Sequence, residues 1–228
     1  LANIKLELDQ NDLGRSFFRR LQGQEDTVYI DWENPESNTF HLALEVTCQN
    51  GGDEFRPDIV IFINGLPLSY IEVKQPNAIR DGKTAIQSEQ SRTAVRFENR
   101  RFRRFNNITQ LISFSDNLPY ISGQGQQKQG SFYCSNAFSK TKFNAFKEER
   151  EEELIYSIRS LGEEEIDAVL KDVNRFALKS QPEFKTNQDP STPCNTFISS
   201  LYQKERLLFL LRYGLAYVEE HSKDGTIQ

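Results

Sequence analysis

The stretch RPDIVIFINGLPLSYIEVKQPN, Arg56 to Asn77, constrains this chain more than any other part of it. Two apolar runs flank Asn64-Gly65, the strongest short-range dipeptide signal for a β-hairpin. Along a strand successive side chains alternate faces, and a one-residue slip of register carries every side chain to the other face. Asp58, Glu72 and Lys74 sit where these strands would prefer something apolar. Glu72 and Lys74 share a face in any register, but whether Asp58 joins them depends on the turn. A two-residue turn pairs Ile63 with Leu66, sets Asp58 opposite Ile71 and leaves Glu72 on the far side. A three-residue connection, Asn64-Gly65-Leu66, puts Asp58 directly across from Glu72; five residues or one β-bulge preserve the same shared face. Pro67 cannot donate a ladder hydrogen bond and suits a strand's beginning. The expectation is therefore a connection that is not a simple two-residue turn.

On one face, two carboxylates and an ammonium would converge. Two like charges about 4 Å apart repel by roughly 4 kcal/mol at an effective dielectric of 20. Such a pair calls for a cation, a shared proton or the lysine. Mg²⁺ is the natural candidate, because it takes a few carboxylates, keeps several waters and leaves room for phosphate. A water held between that ion and Lys74 would be a nucleophile aimed at phosphorus. The D…ExK spacing alone is a weak signal and more often marks a solvated strand face. The apolar flanks, the well-signalled hairpin and the helix that follows closely strengthen the catalytic reading. Glu45 could reach the face of Asp58, although such a residue is more often simply exposed.

Around the hairpin, TVYIDW and TFHLALEVTCQN read as strands, rich in β-branched and aromatic residues and bounded by Asn, Pro and Gly. Residues 1–26 read as a helix around Phe17, Phe18 and Leu21. Residues 83–105 have helical spacing, with Ala85, Ile86, Ala94 and Phe97 on one side, and ITQLISFS and SFYCS read as further strands. From Asn144 the texture turns helical, in NAFKEEREEELIYSIRSL, GEEEIDAVLKDVNRFAL and FISSLYQKERLLFLLRYGLAYV, with acidic first turns that suit the helix dipole. SQPEFKTNQDPSTPCN, with Pro182, Pro190 and Pro193, reads as a linker. The pattern predicts an α/β core with a central mixed sheet flanked by helices over 1–143, and a helical appendage over 144–228.

Composition removes several function classes. A net charge of −5 and a pI near 5.3 do not suit a whole-surface nucleic-acid binder, so any DNA contact must be local. SRTAVRFENRRFRRF is the local candidate: its arginines, Arg96, Arg100 and Arg103 among them, are interleaved with phenylalanines. A solvated helix face with a phenylalanine core side accounts for it equally well. Cys48, Cys134 and Cys194 are odd in number and far apart, which argues against a disulfide framework or structural zinc and for a reducing cytoplasm. No apolar run approaches the roughly 20 residues of a membrane span, and no signal peptide is visible. The chain lacks Met, so it is expected to begin beyond its initiator. His41 and His221 lie in no motif, which leaves hydrolase triads without a base. No G-x-x-x-x-G-K-[ST] occurs, so the chain carries no nucleotide site of that kind.

The string from Arg56 to Asn77 resembles the start of the restriction (R) subunit of type I restriction–modification enzymes, which opens with a PD-(D/E)XK nuclease domain. The likeness continues in ENRRFRRFNNITQLISFSDN and in PEFKTNQDPSTPCNTFISSLYQKERLLFLLRYGLAYV, the latter similar to the lead-in to that subunit's motor. The resemblance implies that Asp58 and Glu72 bind Mg²⁺ and that Lys74 positions the attacking water. It also implies double-stranded DNA as substrate, separate specificity and methylation subunits as partners, and a bacterial or archaeal cytoplasm. ATP-driven translocation would belong to a motor beyond Gln228, with ATP bound only by the full-length subunit. This nuclease branch often adds a Gln-x-x-x-Tyr element on the following helix. Gln90 is the best-placed glutamine, but position 94 is Ala, and Gln87 is followed at the same spacing by Ser91. The alternative is a non-catalytic DNA-contacting or subunit-docking module that retains the fold.

Overall fold

The computed structural model describes residues 2–23, 27–121, 128–136, 141–147 and 160–217. Its strands are β1 (Phe40–Leu44), β2 (Cys48–Asn50), β3 (Asp53–Phe55), β4 (Ile59–Ile63), β5 (Leu66–Val73), β6 (Ile79–Arg80), β7 (Lys83–Thr84), β8 (Leu111–Ser115), β9 (Ser131–Cys134) and β10 (Asn144–Ala145). The helices are α1 (Ala2–Leu8), α2 (Arg15–Leu21), α3 (Ala85–Glu98), α4 (Arg103–Ile108), α5 (Glu163–Asp172), α6 (Pro182–Asn187), α7 (Pro193–Leu201) and α8 (Lys204–Phe209). A six-stranded sheet runs in the order β1-β4-β5-β8-β9-β10. Only β5 and β8 are parallel within it, so the sheet is mixed, as expected of this α/β chain. Two small hairpins, β2-β3 and β6-β7, stand beside it.

The hairpin expectation needs correcting. Ile63 pairs with Leu66, so the turn at Asn64-Gly65 is a plain two-residue one. Both residues are left-handed, Asn64 at φ 50° and Gly65 at φ 79°, as a type I′ turn requires. The odd residue comes later. Phe62 pairs with Pro67 but Ile61 pairs with Ser69, which leaves Leu68 as a bulge. Leu68 is buried in the same cluster as Ile61, while the adjacent Ser69 hydroxyl bonds the Leu111 carbonyl at 2.7 Å and lies 3.0 Å from the Tyr202 hydroxyl. Past the bulge Ile59 pairs with Ile71, so the next step along sets Asp58 across from Glu72. The strong turn and the shared face coexist because the strand, and not the turn, absorbs the extra residue.

Alternation gives the sheet two cores. On one side Ile61, Ile63, Leu68, Ile71 and Leu111 pack with Phe17, Leu21, Phe197, Leu207 and Leu211. On the other, Val60, Tyr70, Ile112 and Cys134 meet Phe97, and Phe114 and Phe132 meet Ile86. Helices α3 and α4 cover that second face.

Other elements depart from the expected pattern. TVYIDW is not a strand. Its backbone is tied up by side chains: Asn64 Nδ2 bonds the Tyr29 carbonyl, and Asn38 bonds both the amide and the carbonyl of Asp31. The predicted strand TFHLALEVTCQN breaks into β1 and β2 where Glu45 takes a left-handed conformation, φ 51°. The first predicted helix is two helices, and the second is α3, a 3₁₀ turn and α4. Asn144–Ala145 is strand, pairing with Tyr133 and Phe132, and the rest of the helix predicted there falls largely outside the described residues. The boundary expected at 143/144 therefore runs through the sheet. The expected linker carries α6, and the last helix breaks at Tyr202, whose hydroxyl sits between those of Ser69 and Ser113.

Phe197 is fully buried and makes edge contacts with Phe146 and Tyr202. Phe197→Ala should cost about 3–5 kcal/mol of stability, read as a fall in the urea midpoint of the whole chain. A separate appendage would leave the sheet's transition where it was.

Candidate active site

The bulge delivers Asp58 and Glu72 to the α3 side of the sheet, and Lys74, two residues on, follows Glu72 there. All three line a cleft of about 630 Å³, whose opposite wall is formed by Arg92 and Arg96 of α3. Asp58, just ahead of β4, is fixed by its backbone neighbour across the hairpin: its Oδ2 accepts the Val73 amide at 2.7 Å. Glu72 is 4% exposed. Its Oε2 accepts the Lys74 ammonium at 2.6 Å, and its Oε1 has no hydrogen-bond partner, the nearest cation being the Arg96 guanidinium at 3.6 Å.

Helix α3 starts on a capping box, in which the Thr84 hydroxyl accepts the Gln87 amide and the Gln87 side chain accepts the Thr84 amide. That assigns Gln87 to helix initiation. The buried face of the helix then runs Ile86, Glu89, Thr93, Phe97, at the spacing of an apolar stripe. Glu89 occupies a core position and is 0% exposed. Its carboxylate meets the Lys74 ammonium at 3.2 Å, Arg96 at 3.0 Å and Arg92, and the Thr93 hydroxyl lies 3.4 Å away. Sequence reasoning passed over Glu89 and settled on its neighbour Gln90, which is half-buried and does not line the cleft. The available signal was a carboxylate standing in the helix's apolar stripe, where a charge persists only with partners.

Burial separates the two glutamates. For Glu72 desolvation dominates, reinforced by the negative charge of Glu89. Lys74 and Arg96 only partly offset it, and the pKa is raised. For Glu89 burial also pushes upward, but Arg96, Lys74 and Arg92 together outweigh it and hold the pKa below the ordinary value. Arg96 points inward. Besides both glutamates it reaches the Tyr70 hydroxyl at 3.4 Å and lies 5.0 Å from the centroid of the Phe55 ring.

The remaining arginines diverge. Arg100 is exposed with no ion-pair partner among the described residues, and Arg103 donates to the Asp9 carbonyl at 3.2 Å. Arg101 pairs with Asp53 and Arg104 with Asp9. These four line a second cleft of about 730 Å³, and Phe102 lines both. Glu45 stays exposed and lies 3.8 Å from both Arg56 and Arg175. Among the described residues no three His, Cys, Asp or Glu side chains group as a metal cage, and no helix is long and apolar enough to cross a membrane.

The pKa directions fix two outcomes. Because folding raises the Glu72 pKa, its contribution is full below the ordinary carboxylate value and lost as pH rises through the folded-state value. Glu72→Gln should therefore raise the urea midpoint at pH 7, with the gain fading in acid. Glu89→Gln acts oppositely, leaving Lys74 and Arg96 to share Glu72 and one buried positive charge uncompensated, at a cost of about 3–5 kcal/mol, to be read from the same titration at pH 7.

Comparison with known proteins gives a consistent direction. The family model described as type I restriction enzyme R protein N terminus matches residues 2–152. Three curated proteins of Methanocaldococcus jannaschii, each provisionally named as the endonuclease subunit of a type I restriction enzyme, are similar. The MjaIXP protein is 32% identical over 96 residues, 40% of this chain and 8% of that protein. The MjaVIIIP protein is 32% identical over 92 residues, with the same shares, and the MjaVIIP protein 42% over 45 residues, 20% of this chain and 4% of that protein. The matched stretch thus spans less than a tenth of each relative. No solved structure matches.

Proposed function

Because this chain belongs to the family of type I restriction enzyme R protein N termini, we propose that it is a Mg²⁺-dependent endonuclease domain that hydrolyses DNA phosphodiester bonds. The observation that carries the reading is the register itself. A bulge at Leu68 brings Asp58, Glu72 and Lys74 to one cleft, which a plain hairpin would have divided between two faces. The PD-(D/E)XK assignment, the bacterial or archaeal cytoplasm, double-stranded DNA, and the specificity and methylation subunits are part of the same proposal. So is the ATP-driven translocation performed by the longer protein before cutting.

The donor set fits Mg²⁺. Asp58 and Glu72 offer hard oxygens, Glu72 Oε1 is buried without a hydrogen-bond partner, and two carboxylates leave positions for water and phosphate. When bound there, the ion would supply charge neutralisation at the phosphate and a more acidic water. The chain's own groups do the rest. Val73 holds Asp58 in place through its amide. Burial and the Tyr70 and Phe55 contacts hold Arg96 beside Glu72, 3.6 Å from that carboxylate's free oxygen. Lys74 would hold the attacking water by hydrogen bond and stabilise negative charge as it develops. Arg100 and Arg103, in the neighbouring cleft, would contact backbone phosphates, a role to which the inward-turned Arg96 contributes only through Glu72.

The non-catalytic reading draws on one observation, the direct Lys74–Glu72 contact, which closes the site as an ion pair. Activity separates the two. In the full-length R protein, assembled with its partners, Lys74→Ala or Asp58→Ala should lower DNA cleavage by about two orders of magnitude or more. ATP hydrolysis should stay unchanged. Undiminished cutting by Lys74→Ala would overturn the role assigned to that lysine.

A further inference from the structure

Lys74 stands between two buried carboxylates, 2.6 Å from Glu72 Oε2 and 3.2 Å from Glu89 Oε2. That geometry poses a conflict for any ion held by Glu72. A divalent ion would meet an ammonium already seated on its ligand, and repulsion between a unit and a double charge is twice that between two unit charges at the same distance. The lysine must keep its charge neutralised and yet release Glu72. Glu89 is the one other carboxylate within salt-bridge distance of it among the described residues.

Counting charge around the cleft sharpens the point. Glu54, Asp58, Glu72 and Glu89 contribute −4; Arg56, Lys74, Arg92 and Arg96 contribute +4; the sum is zero. Without Glu89 the sum is +1, and Glu72 is left as the one carboxylate within salt-bridge distance of Lys74 and Arg96 among the described residues. Without both Glu89 and Lys74 the sum returns to zero. Glu89 is also well placed to accept the lysine, since its pKa is held low and its helix position is fixed by core packing between Ile86 and Phe97.

We propose that Glu89 is a positioning residue that takes Lys74 from Glu72 when a divalent cation binds. Glu72 is thereby freed to ligate the ion while the ammonium stays beside it. The inference rests on the nuclease reading above, and it concerns Glu89 on the helix, outside the D…ExK triplet.

Cation binding by this chain, without DNA, tests it, with Mn²⁺ as the probe and water proton relaxation as the readout. Glu89→Gln should weaken Mn²⁺ binding at least about tenfold, and adding Lys74→Ala to it should return the affinity to within about threefold of wild type. A role in packing alone predicts no such rescue, because a second buried substitution does not repair a first. Equal Mn²⁺ affinity of wild type and Glu89→Gln would overturn the role of Glu89 and leave the nuclease reading standing. Failure of the wild-type chain to bind Mn²⁺ would overturn both. If Glu89→Gln does not fold, a crystal structure of the wild-type chain soaked in Mn²⁺ decides. The Lys74 ammonium should then bond Glu89 and lie out of hydrogen-bond reach of Glu72, and a lysine still seated on Glu72 beside the ion would overturn the proposal.

Discussion

A β-strand offers its side chains to two faces in strict alternation, and the assignment can be changed only by gaining or losing a residue. Everything in the cleft depends on where this chain does so. The turn at Asn64-Gly65 is too well suited to its two-residue form to yield, with both residues at positive φ and Asn64 bonded to Thr39, Tyr29 and Asn38. The extra residue goes instead to Leu68, where the bulge costs little. Leu68 packs into the core, its carbonyl accepts the Gln110 amide at 2.8 Å, and Pro67 beside it has no donor to lose. Beyond that point the carboxylates of Asp58 and Glu72 share one face.

The second constraint is electrostatic. Buried carboxylates are tolerated only when partners compensate the loss of water. Glu89 has them in full, from three cations on two elements, while Glu72 has them in part, with one oxygen left over. The asymmetry follows from placement. Glu89 lies on the helix that also carries Arg92 and Arg96, one turn and two turns on, whereas Glu72 reaches those cations only across the space between sheet and helix. A site with one satisfied and one unsatisfied carboxylate is held under tension by the fold that surrounds it.

The hairpin, the strands β8 and β9, the helix α3 and the mixed α/β character were legible because each has a local signature, whether alternation, a turn dipeptide or helical spacing. The triplet Asp58, Glu72 and Lys74 was legible as a pattern, and the bulge is what brings its three residues to one cleft. The bulge was foreseen as an option but not chosen, because nothing in the residues around Leu68 distinguishes a bulged strand from a longer turn. TVYIDW failed as a strand through side-chain bonds from Asn38 and Asn64, which lie outside its window. Glu89 was hidden by its neighbours: an acidic residue in a polar-looking run reads as exposed unless the stripe of Ile86, Thr93 and Phe97 is drawn through it. The burial of the last helices against the sheet was likewise invisible, since an amphipathic helix does not name the surface that covers it.

The hydroxyl of Tyr202, set between Ser69 and Ser113, has a mechanical consequence. It joins the last helices to β5 and β8, the parallel pair at the middle of the sheet, and not to an edge. A load on an edge strand peels its ladder one rung at a time. A load brought in through Tyr202 and the neighbouring Phe197 reaches two central strands together, and many rungs must stretch before any gives way. One of those strands carries Glu72 and ends one residue short of Lys74, so a pull along the C-terminal helices would reach the cleft as stiffness in its floor before it could tear the sheet.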